Sequence, residues 1–159
     1  MPRPKSPAIN AHGLFSIEGA CVRPHRFSHL DLKSIHRYYQ IDDLSKVDER
    51  LTGKGVRLRK LIDLAGADPK AGFLVAHSED GAFTATLPMD VAKSAIIIYE
   101  RKGKALDRAE DGPVRLVVPF HPDKCGNVKG LGRLVVSHEP GDDTKKHDHS
   151  GKAAAPAAG

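Results

Sequence analysis

The chain has 159 residues, enough for one domain with its own core, and 40% of them are hydrophobic. Only 5% are aromatic and none is Trp, so Val, Leu, Ile and Ala must fill that core. A formal charge of +5 suits acidic small-molecule partners, but the 25 Lys and Arg interleave with 20 Asp and Glu, which argues against a nucleic-acid binder. No apolar run approaches the roughly 18 residues of a membrane span, and Met1–Asn10 has no apolar leader. As written, the chain reads as cytoplasmic, or as periplasmic if a leader had been trimmed.

Residues 1–12, with Pro2, Pro4 and Pro7, read as a flexible lead-in. A domain is expected over 13–138, with a disordered tail over 139–159. Leu14–Val22 alternates loosely apolar and polar, which predicts a first strand ended by Arg23 and Pro24. Cys21 then reads as a small apolar residue at the strand's end. Ser28, with Asp31 three residues on, predicts a capped helix running to about Ile35. Residues 36–52 give no clear element.

Apolar residues of Val56–Ala65 fall on one helical face, and Gly66 and Pro69 stop that helix. Gly72–His77 and Ala82–Leu87 predict a hairpin with Asp80-Gly81 at its tip. His77 reads as a structural or exposed histidine. A short helix at Met89–Ser94 leads to Ala95–Glu100, whose continuous apolar character predicts a strand buried on both faces. Residues 101–104 read as a turn.

The central stretch follows. Val114–Phe120 and Leu131–Val136 are rich in β-branched residues and flank a polar loop, giving strand, loop, strand. The loop and its flanks gather His121, Asp123, Lys124, Cys125, Asn127 and Lys129. His121, Asp123 and Cys125 are candidate metal ligands, with Lys124 placed to favour the thiolate of Cys125. Cys21 and Cys125 form no C-x-x-C pair. In the tail, His147-Asp148-His149 offers two imidazoles and a carboxylate but no fixed geometry. The interleaving of helix and strand predicts an α+β class, a mixed, strand-rich single domain with a few short helices.

G-P-V-R-L-V-V-P at 112–119 and N-V-K-G-L-G-R-L-V-V-S at 127–137 resemble the end of the molybdopterin-binding domain of the sulfite oxidase family. G-V-R-L-R-K-L-I-D-L-A-G at 55–66 and D-G-A-F-T-A-T-L-P at 80–88 resemble other parts of it, in the same order. Tyr99, Gly103 and Leu106 match its Y-x-x-N-G-x-x-L signature, with Lys102 in place of the Asn. The resemblance covers about residues 14–138 and implies the sulfite oxidase molybdopterin-binding fold with a pterin ligand.

It further implies Arg115, Asn127 and Lys129 as cofactor-binding residues. Lys129 would lie near the pterin phosphate, and Arg115 would either share that role or tie neighbouring carbonyls together. In catalytic members a Cys thiolate on the stretch between the first helix and the G-V-x-L helix ligates molybdenum. Here residues 36–54 contain no Cys, a departure that implies loss of molybdenum ligation. Three readings result: a pterin-binding module that has lost the metal, an active molybdenum oxidoreductase, and a metal or thiol site around His121 and Cys125.

Overall fold

The computed structural model describes residues 13–119 and 127–141. Among the described residues ten strands form two five-stranded sheets, as the strand-rich mixed reading expects. The first sheet contains β1 (Gly13–Gly19), β2 (His25–Ser28), β5 (Phe73–Ser78), β6 (Thr84–Pro88) and β10 (Leu131–Ser137), in the order β2-β1-β10-β5-β6. Only β1 and β10 in it run parallel. The second contains β3 (Gln40–Ile41), β4 (Lys54–Arg57), β7 (Ile96–Arg101) and β8 (Lys104–Ala105) in that order, and β9 (Arg115–Val117) also pairs with β7.

Among the described residues three short α-helices and two single-turn 3-10 helices, Arg37–Tyr39 and Leu44–Lys46, accompany the sheets. Helix α1 (His29–Lys33) starts in a full capping box: Ser28 Oγ accepts from Asp31 N, and Asp31 Oδ2 accepts from Ser28 N. It stops two residues short of the predicted Ile35. Helix α2 (Leu58–Ala65) buries Leu58, Leu61, Ile62 and Ala65, the i, i+3, i+4, i+7 set of one face. Gly66 ends it at φ 68°, a left-handed conformation that glycine adopts without steric cost. Helix α3 (Met89–Ala92) is also shorter than expected.

Val56 belongs to β4, where the helical pattern places it in the following helix. Its β-branched side chain is fully buried and its backbone is paired with Gln40 on one side and Ile97 on the other, so sheet hydrogen bonding overrides the helical pattern. Strand β2 is likewise unannounced in the sequence, because a four-residue edge strand with one buried residue has almost no hydrophobic signature. The turn at 101–104 joins β7 to β8, with Lys102 and Gly103 both at positive φ, as a two-residue hairpin requires.

Alternation places Phe15 and Ile17 of β1 inward, against Leu74, Leu134, Val136 and the buried face of α2. Strand β7 is buried on both faces as predicted: Ile97 and Tyr99 join this main core, while Ile96 and Ile98 join a smaller one with Leu44, Leu106 and Val117. Full burial of one such aliphatic side chain contributes about 1.5 to 3 kcal/mol. The two strands of the central stretch separate here, β9 into the second sheet and β10 into the first. The stretch therefore ties the two sheets together.

After β10 the chain lies back on the first sheet. His138 Nε2 contacts Asp68 Oδ2 at 2.8 Å, and Gly141 N donates to Thr86 Oγ1 at 3.0 Å. The other predicted tail residues, His147-Asp148-His149 included, lie outside the described residues, as do 1–12.

Candidate functional site

Residues 115–117 and 127–129 meet across one antiparallel bridge. Leu116 and Val128 exchange both backbone hydrogen bonds, at 2.9 and 2.8 Å, and both side chains are fully buried. Alternation along β9 turns Arg115 to the face opposite Leu116, and Lys129 lies exposed in the turn that follows Val128. Asn127 closes the ladder, its Oδ1 accepting from Val118 N at 2.9 Å. That leaves the carboxamide –NH2 as its donor end. Arg115 thus adjoins one member of the bridge, and Asn127 and Lys129 flank the other; these are the residues singled out by motif. His121, Asp123 and Cys125 lie outside the described residues.

A carboxylate braces this cluster. Asp111, only 7% exposed, accepts two hydrogen bonds from Arg101 Nη1 at 3.2 and 3.1 Å and lies 3.8 Å from Arg115 Nη1. The Nε of each arginine is buried and has no hydrogen-bond partner among the described residues. Two guanidinium groups are therefore held around one negative charge with donors to spare, an arrangement suited to an anionic group. The Arg115 guanidinium thus has an acidic neighbour at ion-pair distance, longer than a hydrogen bond. Gly112 lets the D-G-P turn approach closely, since a Cβ there would lie 2.6 Å from Leu106 O.

A second polar cluster lies on the other side of β7. The pairing of β4 with β7 slips one residue between Gly55–Ile98 and Lys54–Glu100, so Tyr99 is an extra residue in the ladder. Such an insertion re-aims the side chains beside it. Tyr99 and Glu100 consequently both meet α1: the His29 ring packs edge-on to Tyr99 at 5.4 Å, and Glu100 Oε2 lies 3.3 Å from His29 Nε2 and 3.5 Å from Lys33 Nζ. The Tyr99 hydroxyl donates to Gln40 Oε1 at 2.6 Å, and Gln40 Nε2 donates to the carbonyls of Leu32 and Ile35. Burial, with help from the Glu100 charge, pushes the Tyr99 phenol up to about 12, so it is a proton donor at neutral pH.

Replacing Tyr99 with Phe removes that donor and leaves the Gln40 oxygen unsatisfied. A loss of about 1 to 2 kcal/mol in a urea titration is expected, and an unchanged midpoint would mean that water replaces the hydroxyl.

Cys21 packs against the main core as expected, and burial, with the Glu18 charge second, raises its thiol pKa. His77 is half-buried with Thr84 Oγ1 at 3.2 Å, and burial, with Arg133 second, lowers its pKa. Sequence reasoning missed Arg101, Asp111, His29, Gln40 and Glu100. The one available signal was the charged pair Glu100-Arg101 closing an otherwise apolar run. Among the described residues no group of three His, Cys, Asp or Glu is disposed to hold a metal ion, and no helix is long and apolar enough to cross a membrane.

Comparison with known proteins agrees with this fold. The chain is 30% identical over 109 residues to the uncharacterized oxidoreductase YuiH of Bacillus subtilis (strain 168), covering 65% of this chain and 54% of YuiH. The fold is similar to that of the sulfane dehydrogenase SoxCD from Paracoccus pantotrophus, with a TM-score of 0.62 at 21% identity, covering 80% of this chain and 39% of that one. The chain thus spans about half of YuiH and about two fifths of the matched SoxCD chain. Residues 5–145, which contain both sheets and the braced arginine cluster, match the oxidoreductase molybdopterin binding domain, and the chain belongs to that family.

Proposed function

We propose that this chain is a pterin-binding module of its family, in which the protein thiolate that normally holds molybdenum has been lost. The observation that carries the reading is the position of Arg115, Asn127 and Lys129 next to one bridge, with the buried Nε atoms of Arg115 and the nearby Arg101 unpaired among the described residues. These residues fit the anionic, phosphate-bearing end of a molybdopterin. Lys129, exposed on its loop, meets the phosphate as a compact charge, Arg115 donates from its braced guanidinium, and Asn127 donates from its amide. The donor set over 36–54 does not fit molybdenum, since the segment offers no sulfur ligand. When loaded with metal, such a cofactor supplies oxygen-atom and electron transfer. In this reading the chain's own residues bind and orient it.

The test is to purify the chain from a host that makes the cofactor, then measure the pterin by fluorescence after oxidative release and the metal by mass spectrometry. Pterin near one equivalent with little molybdenum is expected, and Lys129→Ala should lower the pterin content at least tenfold. No pterin in the wild type would end the proposal. Stoichiometric molybdenum would replace it with an active oxidoreductase, and metal lost in a Cys125→Ser variant would assign a ligand to the His121, Asp123 and Cys125 segment.

A further inference from the structure

The outer face of the first sheet, turned away from the main core, carries a hollow of about 420 Å³. Alternation fixes its floor and walls: Leu74, Ala76, Leu134 and Val136 enter the main core, so Val75 and His77 of β5 and Val135 and Ser137 of β10 point the other way. The registers Val75–Val135 and His77–Thr84 set these side chains side by side across β10, β5 and β6. The chain after β10 forms the rim. Ser137 Oγ accepts from Glu139 N at 3.0 Å and donates to Glu139 O at 2.6 Å, which turns the backbone over the sheet. Gly141 then lies so close that a Cβ there would stand 2.8 Å from Val75 Cγ1. Under this rim Val75 is only 5% exposed, although it belongs to neither core.

The lining selects a type of charge. Among the described residues Glu139 carries its one formal charge, and that carboxylate has no ion-pair partner. Burial, with the Arg133 charge second, lowers the His77 pKa, so the ring is uncharged at neutral pH. Arg133 itself lies outside the lining and has Glu18 at 3.9 Å to offset it. Thr84 Oγ1 stands 3.2 Å from His77 Nδ1; in the tautomer whose Nδ1–H donates to that oxygen, Nε2 is left as an acceptor. The rest of the surface is the methyl groups of Val75 and Val135 and the ring of Pro140. No Phe, Tyr or Trp lines it, so the cage that holds a quaternary ammonium by ring faces is missing. A free carboxylate, a neutral acceptor and an apolar floor suit a cation that carries N–H bonds.

We propose that this hollow binds a small primary amine in its ammonium form, one with a short, branched apolar body. Glu139 pairs with the charge, His77 Nε2 accepts a second N–H, and Val75, Val135 and Pro140 cover the hydrocarbon. The volume lies within the roughly 300 to 1,000 Å³ of small-molecule sites. The site stands on the far side of the first sheet from the main core and is independent of the pterin reading.

The test titrates the full chain with isobutylamine, isobutyrate and tetramethylammonium at neutral pH and fixed ionic strength, and follows the histidine ring signals by NMR, with His77→Gln to identify the His77 signal. Saturable binding of isobutylamine that shifts the His77 signal is expected, with the other two probes about tenfold weaker or absent. Glu139→Gln, which removes the charge, and Val135→Phe, which fills the floor, should each weaken amine binding about tenfold. Asp90→Asn, an exposed acid on α3, should leave it unchanged. Absence of saturation, equal affinity for the three probes, or wild-type affinity in Glu139→Gln or in Val135→Phe would overturn the proposal. Saturation that leaves the His77 signal in place and moves another histidine would also overturn it. Amine binding retained in a preparation that carries no pterin supports this site and counts only against the pterin reading.

Discussion

Replacing Asp111 with alanine will destabilise the domain by about 3 kcal/mol, the lower end of the range for breaking a buried ion pair. The carboxylate is 7% exposed and is the shared partner of Arg101 and Arg115. Without it two guanidinium groups face each other across a low-dielectric gap, each with a buried Nε that is already unpartnered. The lower end applies because the two arginine side chains keep 26% and 25% of their surface in water. Asp111→Asn, which keeps an acceptor but no charge, should fall between the two. Urea unfolding monitored by circular dichroism reads the effect, and a cost below about 1 kcal/mol would show that solvent serves the arginines as well as the carboxylate does.

Leu116→Ala should cost about 2 to 5 kcal/mol, the range for truncating a fully buried leucine where the cavity closes only in part. Leu116 is 0% exposed and packs in the main core, and its backbone forms the bridge that presents Asn127 and Lys129. Pterin content should therefore fall together with stability. The control is Leu64→Ala on the outer face of α2, where the side chain is 40% exposed and a change within about 0.5 kcal/mol is expected. A midpoint shift with unchanged denaturant slope in Leu116→Ala, against none in Leu64→Ala, supports the assignment. Equal shifts would refute it.

How much was legible in the chain depended on the range of the signal. The cap at Ser28, the stripe of α2, the Asp80-Gly81 turn and the doubly buried run of β7 rest on neighbours within a few residues, and each stands in the fold. The motif residues Arg115, Asn127 and Lys129 can be named from the chain, and in the fold they stand next to the two members of the Leu116–Val128 bridge. The braces cannot. Asp111 gains its meaning from an arginine ten positions away, and Gln40 from a tyrosine 59 positions away.

Local pattern was enough to determine a strand-rich α+β domain, its main helix and turns, its likeness to a cofactor-binding family, and the lack of sulfur between residues 36 and 54. Tertiary structure alone decided that Val56 is strand, that the two strands of the central stretch enter different sheets, and that a one-residue slip beside Tyr99 turns Glu100 toward α1. Periodicity reports which face of an element is apolar. It carries no record of which distant strand supplies the hydrogen bonds, and in this domain those partners fix where the charges stand.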